Sequence, residues 1–172
     1  MNLSLNREVL HVNEKELNEI LQKHALWLET NKEKGEQAWL SERDLSGMDL
    51  SGKNFRKVQF RGAKFVGCNL SETNFSLALL KDCDFTKANL TKADLSGANL
   101  ASANFHEADL TDADLYEAHA TGAQFTEAKL INTIMDYTNL MQANLSFSDL
   151  TGCDLSKAEL SETNLYGVSG LI

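Results

Sequence analysis

The chain has 172 residues, 42% of them apolar, and a formal net charge of -9. That is the length of one ordinary domain with a substantial core. No apolar run approaches the roughly 18 residues of a membrane span. The first residues lack the apolar core of a signal peptide, so a cytoplasmic address and no membrane partner are expected. The negative balance also argues against direct, non-specific nucleic-acid binding, which needs Lys and Arg on phosphates.

The charge is unevenly spread. Residues 1–42 carry 5 basic and 8 acidic groups, residues 43–92 carry 9 and 5, and residues 93–172 carry 2 and 12. There is no proline, as suits a structure built of main-chain ladders.

Residues 14–30 predict one amphipathic helix. Asn13 is a good N-cap, and Glu16 three residues on makes a capping-box-like pair. Leu17, Ile20, Leu21, His24, Trp27 and Leu28 share one face, and Gly35 marks the stop. So short a helix needs support for its apolar face. The exposed first coil of a repeat structure is the natural support, because repeat proteins need caps. Residues 1–12, with Leu3, Leu5, Val9, Leu10 and Val12, are expected to add a strand or arm beside this cap.

From Asp44 to Leu165 a Leu or Phe returns every fifth residue, at 23 of 25 centre positions; Ala120 and Met135 are the exceptions. Internal repeats outrank local signals. Two residues before the centre the chain is small, as in the near-unbroken run from Ala88 to Ala128. One before the centre stands Asn or Asp, in 17 of 25 repeats. In an extended segment residues two apart face the same way. The small residue and the centre therefore point inward, and Asn or Asp points out. The remaining two residues must turn a corner. Glycines such as Gly97 and Gly122 fall where a positive φ is needed, and the flanking Asn or Asp can bond nearby backbone.

The pattern, as in Ala88-Asn89-Leu90-Thr91-Lys92 and Ala93-Asp94-Leu95-Ser96-Gly97, resembles the pentapeptide repeat family over about residues 38–168. The front end, Leu21-x-x-His24-x-x-Trp27-Leu28 followed by Gly35-x-x-Ala38-x-Leu40, is similar to a cap recurrent in that family. The resemblance implies an all-β solenoid: a right-handed four-sided parallel β-helix of about six coils, four pentapeptides each. The expected organisation is an arm and capping helix over 1–37, the β-helix over 38–168 and a tail over 169–172. Stacking n on n+20 then gathers Phe65, Phe85, Phe105 and Phe125 on one wall. It puts Cys68, Cys83 and Cys153 inward on three different walls, which makes them small core residues, neither metal ligands nor disulfide partners.

Arg43, Met48 and Lys53 break the small rule, so the first coil is expected to be open or capped. Val168, Leu171 and Ile172 are expected to fold across the last coil; otherwise that end stacks on a twin as a homodimer.

No catalytic constellation, cofactor site or Gly-rich phosphate loop is visible. His106 and His119 fall on different walls, and a regular rod offers no cleft to shift carboxylate pKa values. The chain is read as a non-enzymatic scaffold or protein-interaction module with a protein partner. Departures from the repeat mark the candidate contact. Four successive flanks become His119, Gln124, Lys129 and Ile134, and Ile131, Ile134, Tyr137, Met141 and Phe147 turn outward positions apolar. Leu77 and Leu79 form a smaller outward pair. Drift on a tolerant surface, or contact with the N-terminal arm, is the plain account; a protein-contact patch is the sharper one.

The alternative is an acidic DNA mimic. Some members of the family protect DNA gyrase from quinolones in this way. Asp109, Asp112, Asp114 and Glu117 lead the late acidic half. Against it stand a basic early half with Arg56, Lys57, Arg61 and Lys64, and the lack of a loop insertion or a C-terminal dimerisation helix.

Overall fold

The computed structural model of the chain describes residues 11–171. One helix, α1 (Glu14–Glu29), precedes a stack of coils running from Trp39 to Ser169. Flank residues pair in parallel with the residue twenty positions on, as in Asn89↔Asp109, Asp109↔Lys129 and Lys129↔Asp149, except that Ile134 and Asp154 form no bridge. The rod is a right-handed, four-sided parallel β-helix. Its walls are named by their centres: wall A (Leu45, Phe65 and onward), wall B (Leu50, Leu70), wall C (Phe55, Phe75) and wall D (Leu40, Phe60).

Main-chain hydrogen bonding explains why the repeat reads as it does. A pentapeptide has five N–H groups, and each needs an acceptor. In Asp94–Ala98 the N–H groups of Asp94, Leu95 and Gly97 donate between coils, to the carbonyls of Thr73 (2.9 Å), Asp114 (2.7 Å) and Tyr116 (2.8 Å). Ala98 N–H closes the corner onto the Leu95 carbonyl at 3.0 Å. The fifth, Ser96 N–H, donates to the Asp94 side chain at 2.9 Å. All 17 flanking Asn and Asp residues accept this bond. The flank is Asn or Asp because a short acceptor is required there.

The corner residue two after every centre but Leu155 is left-handed. Gly97 has φ 61, but Leu77, Tyr137 and Phe147 hold φ 58, 59 and 61 in the same role. For a bulky residue that conformation costs about 1 kcal/mol or more.

Inside, Phe65, Phe85, Phe105 and Phe125 stack nearly parallel, with ring centroids 4.9, 4.8 and 4.8 Å apart. That spacing is the strand separation of the ladder itself, so each ring lies flat on the next. Cys68 and Cys83 are buried, and Cys153 is half-buried. Each thiol donates to the carbonyl 23 residues earlier: Leu45 (3.0 Å), Phe60 (3.1 Å) and Leu130 (2.6 Å). Thr133 and Thr138 hydroxyls do the same. Burial pushes the Cys68 thiol up to about 11 and raises Cys83 still further.

The first coil is capped by α1. Asn13 Oδ1 accepts from Glu16 N–H at 2.9 Å. The Glu16 carboxylate lies 3.8 Å from Arg43. Lys53 Nζ donates to Asn18 at 3.3 Å, and Met48 packs partly buried against the core. Polar helix residues thus meet two of the three residues that break the small rule. His24 is buried and replaces two missing coil contacts. Its Nε2 is 2.7 Å from the Arg56 carbonyl, and its Nδ1 accepts Ala38 N–H at 3.2 Å. Burial lowers its pKa despite the Arg56 bond. Trp27 stacks on its ring at 5.5 Å. Gly35 is needed because any side chain there would meet the Lys23 carbonyl.

His11 pairs with Asp44 and Val12 is buried, extending the ladder beneath wall A. Leu3, Leu5, Val9 and Leu10 of the expected arm, and Ile172, lie outside the described residues. At the far end one expectation is corrected. Val168 takes the small inward position and Ser169 pairs with Asp149, with bonds of 3.0 and 2.8 Å. The segment continues the coil beyond residue 168, because the ladder still offers it partners, and does not fold across the end.

Candidate functional site

The coil from Ala118 to Thr138 keeps its core but loses its corner bonds. His119 and Ile134 give the following N–H no side-chain acceptor, and Lys129 has none to give. Gln124 turns its amide to the Gly122 carbonyl instead (2.9 Å). The surface here is less tightly tied than in the coils before it.

The twenty-residue register gives each expected site residue an address. Tyr137 stands on the C/D corner, stacked in one column with Lys57, Leu77, Gly97 and Glu117; Lys157 follows it beyond the unpaired step from Ile134 to Asp154. Tyr116, one place before the corner, meets Tyr137 edge to face at 5.8 Å. Lys157 Nζ lies 5.6 Å from the Tyr137 ring centroid and 2.7 Å from Asp136 Oδ2. Asp136 pushes the Lys157 pKa up, and Glu117 raises Tyr116 through a bond to its hydroxyl. Leu77 leans over Gly97, whose missing side chain leaves the room. A groove of about 230 Å³ results, lined by Arg56, Ser76, Leu77, Ser96, Gly97, Tyr116 and Glu117. Ile134 sits beside it in the flank row of wall C, stacked on Asp114. Leu77, Ile134 and Tyr137 are 45%, 50% and 57% exposed.

Other expected members fall elsewhere. Ile131 is half-buried near the B/C corner, and Met141 is at the D/A edge. His119 is in the flank row of wall D, between Asn99 and Asn139. Phe147 occupies the A/B corner, where it meets Tyr166 at 5.4 Å. Ile131, Ile134, Tyr137, Met141 and Phe147 therefore do not share one face: successive residues wind around the rod, while residues twenty apart line up. Tyr116 was not singled out by its sequence neighbours, and exposed Trp39 was missed as well. Adding multiples of twenty to Leu77 would have found the corner column.

The carboxylates are also dispersed. Asp109 lies on wall B, 3.3 Å from Lys129. Burial raises its pKa, but bonds from Thr111 and the Lys129 charge outweigh that and hold it low. Asp112 is at the B/C corner and accepts from Asn132 at 3.2 Å. Asp114 is on wall C and Glu117 on the C/D corner. Along the rod the flank rows are broken by Lys129 and Ile134. Among the described residues no three His, Cys, Asp or Glu side chains converge as a metal site. No helix there is long and apolar enough to cross a membrane.

A pentapeptide repeat region model matches residues 44–115, and a model of pentapeptide repeats in eight copies matches 108–146 and 138–169. None of the curated protein sequences matches this chain. Among solved structures the chain is similar to Rfr23, a pentapeptide repeat protein from the cyanobacterium Cyanothece 51142. The two share 21% identity over 87% of this chain and 94% of that one, with a TM-score of 0.50. HetL, a pentapeptide repeat protein involved in heterocyst differentiation regulation in Nostoc sp. strain PCC 7120, shares 24% identity over 92% and 93%, with a TM-score of 0.37. QnrB1, a plasmid-mediated fluoroquinolone resistance protein, shares 19% over 76% and 83%, with a TM-score of 0.41. With its unbroken five-residue comb and twenty-residue coils, the chain belongs to the pentapeptide repeat family.

Proposed function

We propose that the chain is a rigid, non-enzymatic protein-interaction rod whose contact surface is the C/D corner. One observation carries the reading: Leu77 and Tyr137 are large, exposed apolar residues held at left-handed corners. Gly97 shows that the same corner is met without strain when no side chain is needed. Most corners of the rod hold a left-handed non-glycine residue, so it is the clustering of exposed apolar groups at this corner that points to a partner.

The test is affinity capture from source cells with wild type, Tyr137→Gly and Ile134→Asp. Loss of a specific captured protein, with circular dichroism and melting retained, supports the corner. Equal capture by all three rejects it.

A second reading, an acidic mimic of DNA acting on gyrase or a topoisomerase, is supported by the 12 acidic against 2 basic residues over 93–172. The breaks at Lys129 and Ile134 weigh against a continuous phosphate-like row. A supercoiling assay with and without quinolone separates the two: unchanged gyrase activity at micromolar rod removes mimicry.

A further inference from the structure

The C/D corner has an internal order. Its levels are marked by Lys57, Leu77, Gly97, Glu117, Tyr137 and Lys157; the ladder spaces the first five at about 4.8 Å each, and the sixth follows across the unpaired step from Ile134 to Asp154. The first level is basic, with Arg56 beside Lys57. The last is acidic on both adjoining walls, with Asp154 on wall C and Glu159 on wall D. The second level is apolar at the corner through Leu77, and the fifth through Tyr137. The third level has no side chain at Gly97, and the fourth projects Tyr116.

Turning one rod end for end about an axis midway between Gly97 and Glu117 places each level on its opposite. Basic meets acidic, apolar meets apolar, and Tyr116 meets the groove floor at Ser96 and Gly97. The paired ladder holds the first five levels at equal rise, and Lys157 Nζ, 2.7 Å from Asp136 Oδ2, keeps the sixth beside the fifth. We propose that the C/D corner is a contact between two copies of this chain, lying antiparallel and side by side about that axis. The proposal rests on reading the corner as a contact surface and names a second copy as its occupant. It differs from end-to-end stacking, which would use the last coil instead.

One juxtaposition is unfavourable. Lys57 faces Lys157 of the second copy, but Asp136, 2.7 Å from Lys157, already offsets that charge. The strip is five rises long, about 24 Å. That is narrow against the roughly 800 Å² per partner of a stable complex, so the dimer is expected to be weak, with Kd on the order of 10 μM.

Sedimentation of the full chain from about 1 to 200 μM, bracketing that Kd, tests this. The expected result is a concentration-dependent dimer. Arg56→Glu or Asp154→Arg alone should weaken it at least about tenfold. Both changes in one chain should restore it, because the exchanged charges face each other across the axis. A chain that is monomeric throughout overturns the proposal. So does a dimer indifferent to Arg56→Glu and Tyr137→Gly, the behaviour of end-to-end stacking. If the chain is monomeric and Tyr137→Gly still abolishes capture of another protein, the contact-surface reading stands and the self-contact fails.

Discussion

The coil Ala98–Glu117 and the next coil along the rod, Ala118–Tyr137, share one core and differ at the surface. Phe105 and Phe125 are equally buried and stack on each other. Outside, Asn99, Asn104, Asp109 and Asp114 each hold a corner N–H, whereas His119, Gln124, Lys129 and Ile134 do not. A solenoid can thus keep its interior code while releasing its exterior code for another use. Repeats contact only their neighbours, so such a change stays local.

The largest test of the comparison is in the core. Phe105→Ala and Phe125→Ala should each lower unfolding stability by about 3–5 kcal/mol, because each leaves a cavity. Chemical denaturation measures it. A much smaller loss for Phe125→Ala would mean that the second coil is loosely packed as well, and the comparison would fail.

The next test exchanges the surface code. Asp114→Ala removes a corner acceptor and should cost about 1 kcal/mol, while Ile134→Asn should recover about as much. Asn is preferred to Asp because Asp114 stacks directly on this position. If Ile134→Asn is neutral, the missing bond is not what distinguishes the coils.

Relief of backbone strain is a smaller effect. Tyr137→Gly should raise stability by up to about 1 kcal/mol, offset in part by the freedom glycine gains on unfolding. Leu115→Gly, at an inward centre, should instead be strongly destabilising.

Acidification that stays above the carboxylate range should leave both coils nearly untouched and act at the cap. His24 has a lowered pKa in the fold through burial. The unfolded chain therefore takes up the proton first. Stability is constant well above 6.5, the ordinary histidine value, and falls as pH drops below it toward the folded pKa. Melting of wild type against His24→Gln across that window checks the sign, since the variant should lose the slope. Hydrogen exchange should locate the loosening at Ala38, the N–H that neutral Nδ1 accepts.

The rod was legible in the sequence because one wall position carries one duty. Leu95 packs, Asp94 bonds a corner and Gly97 turns it, so a linear pattern reports a three-dimensional role. Contacts at the same level of the pattern, such as Phe85 on Phe105, come from counting by twenty. The proposed contact corner was only half legible. Ile134 and Tyr137 stand out as departures, but Met141 and Ile131 are their neighbours only in sequence. Leu77 and Tyr116 join the corner across turns of the rod. The bonds of Cys68 and Thr133 to carbonyls 23 residues back could not be read, because a small residue suffices for packing with or without a donor.

The parallel pairing of n with n+20 makes the molecule behave like a screw thread. Losing twenty residues would draw the two ends one pitch closer and leave every feature facing the same way. Losing five would swing everything downstream through a quarter turn, carrying Tyr137 off the column of Leu77 without disturbing a single inward leucine. Any lineage that keeps this corner in use is thereby confined to whole-turn changes in length.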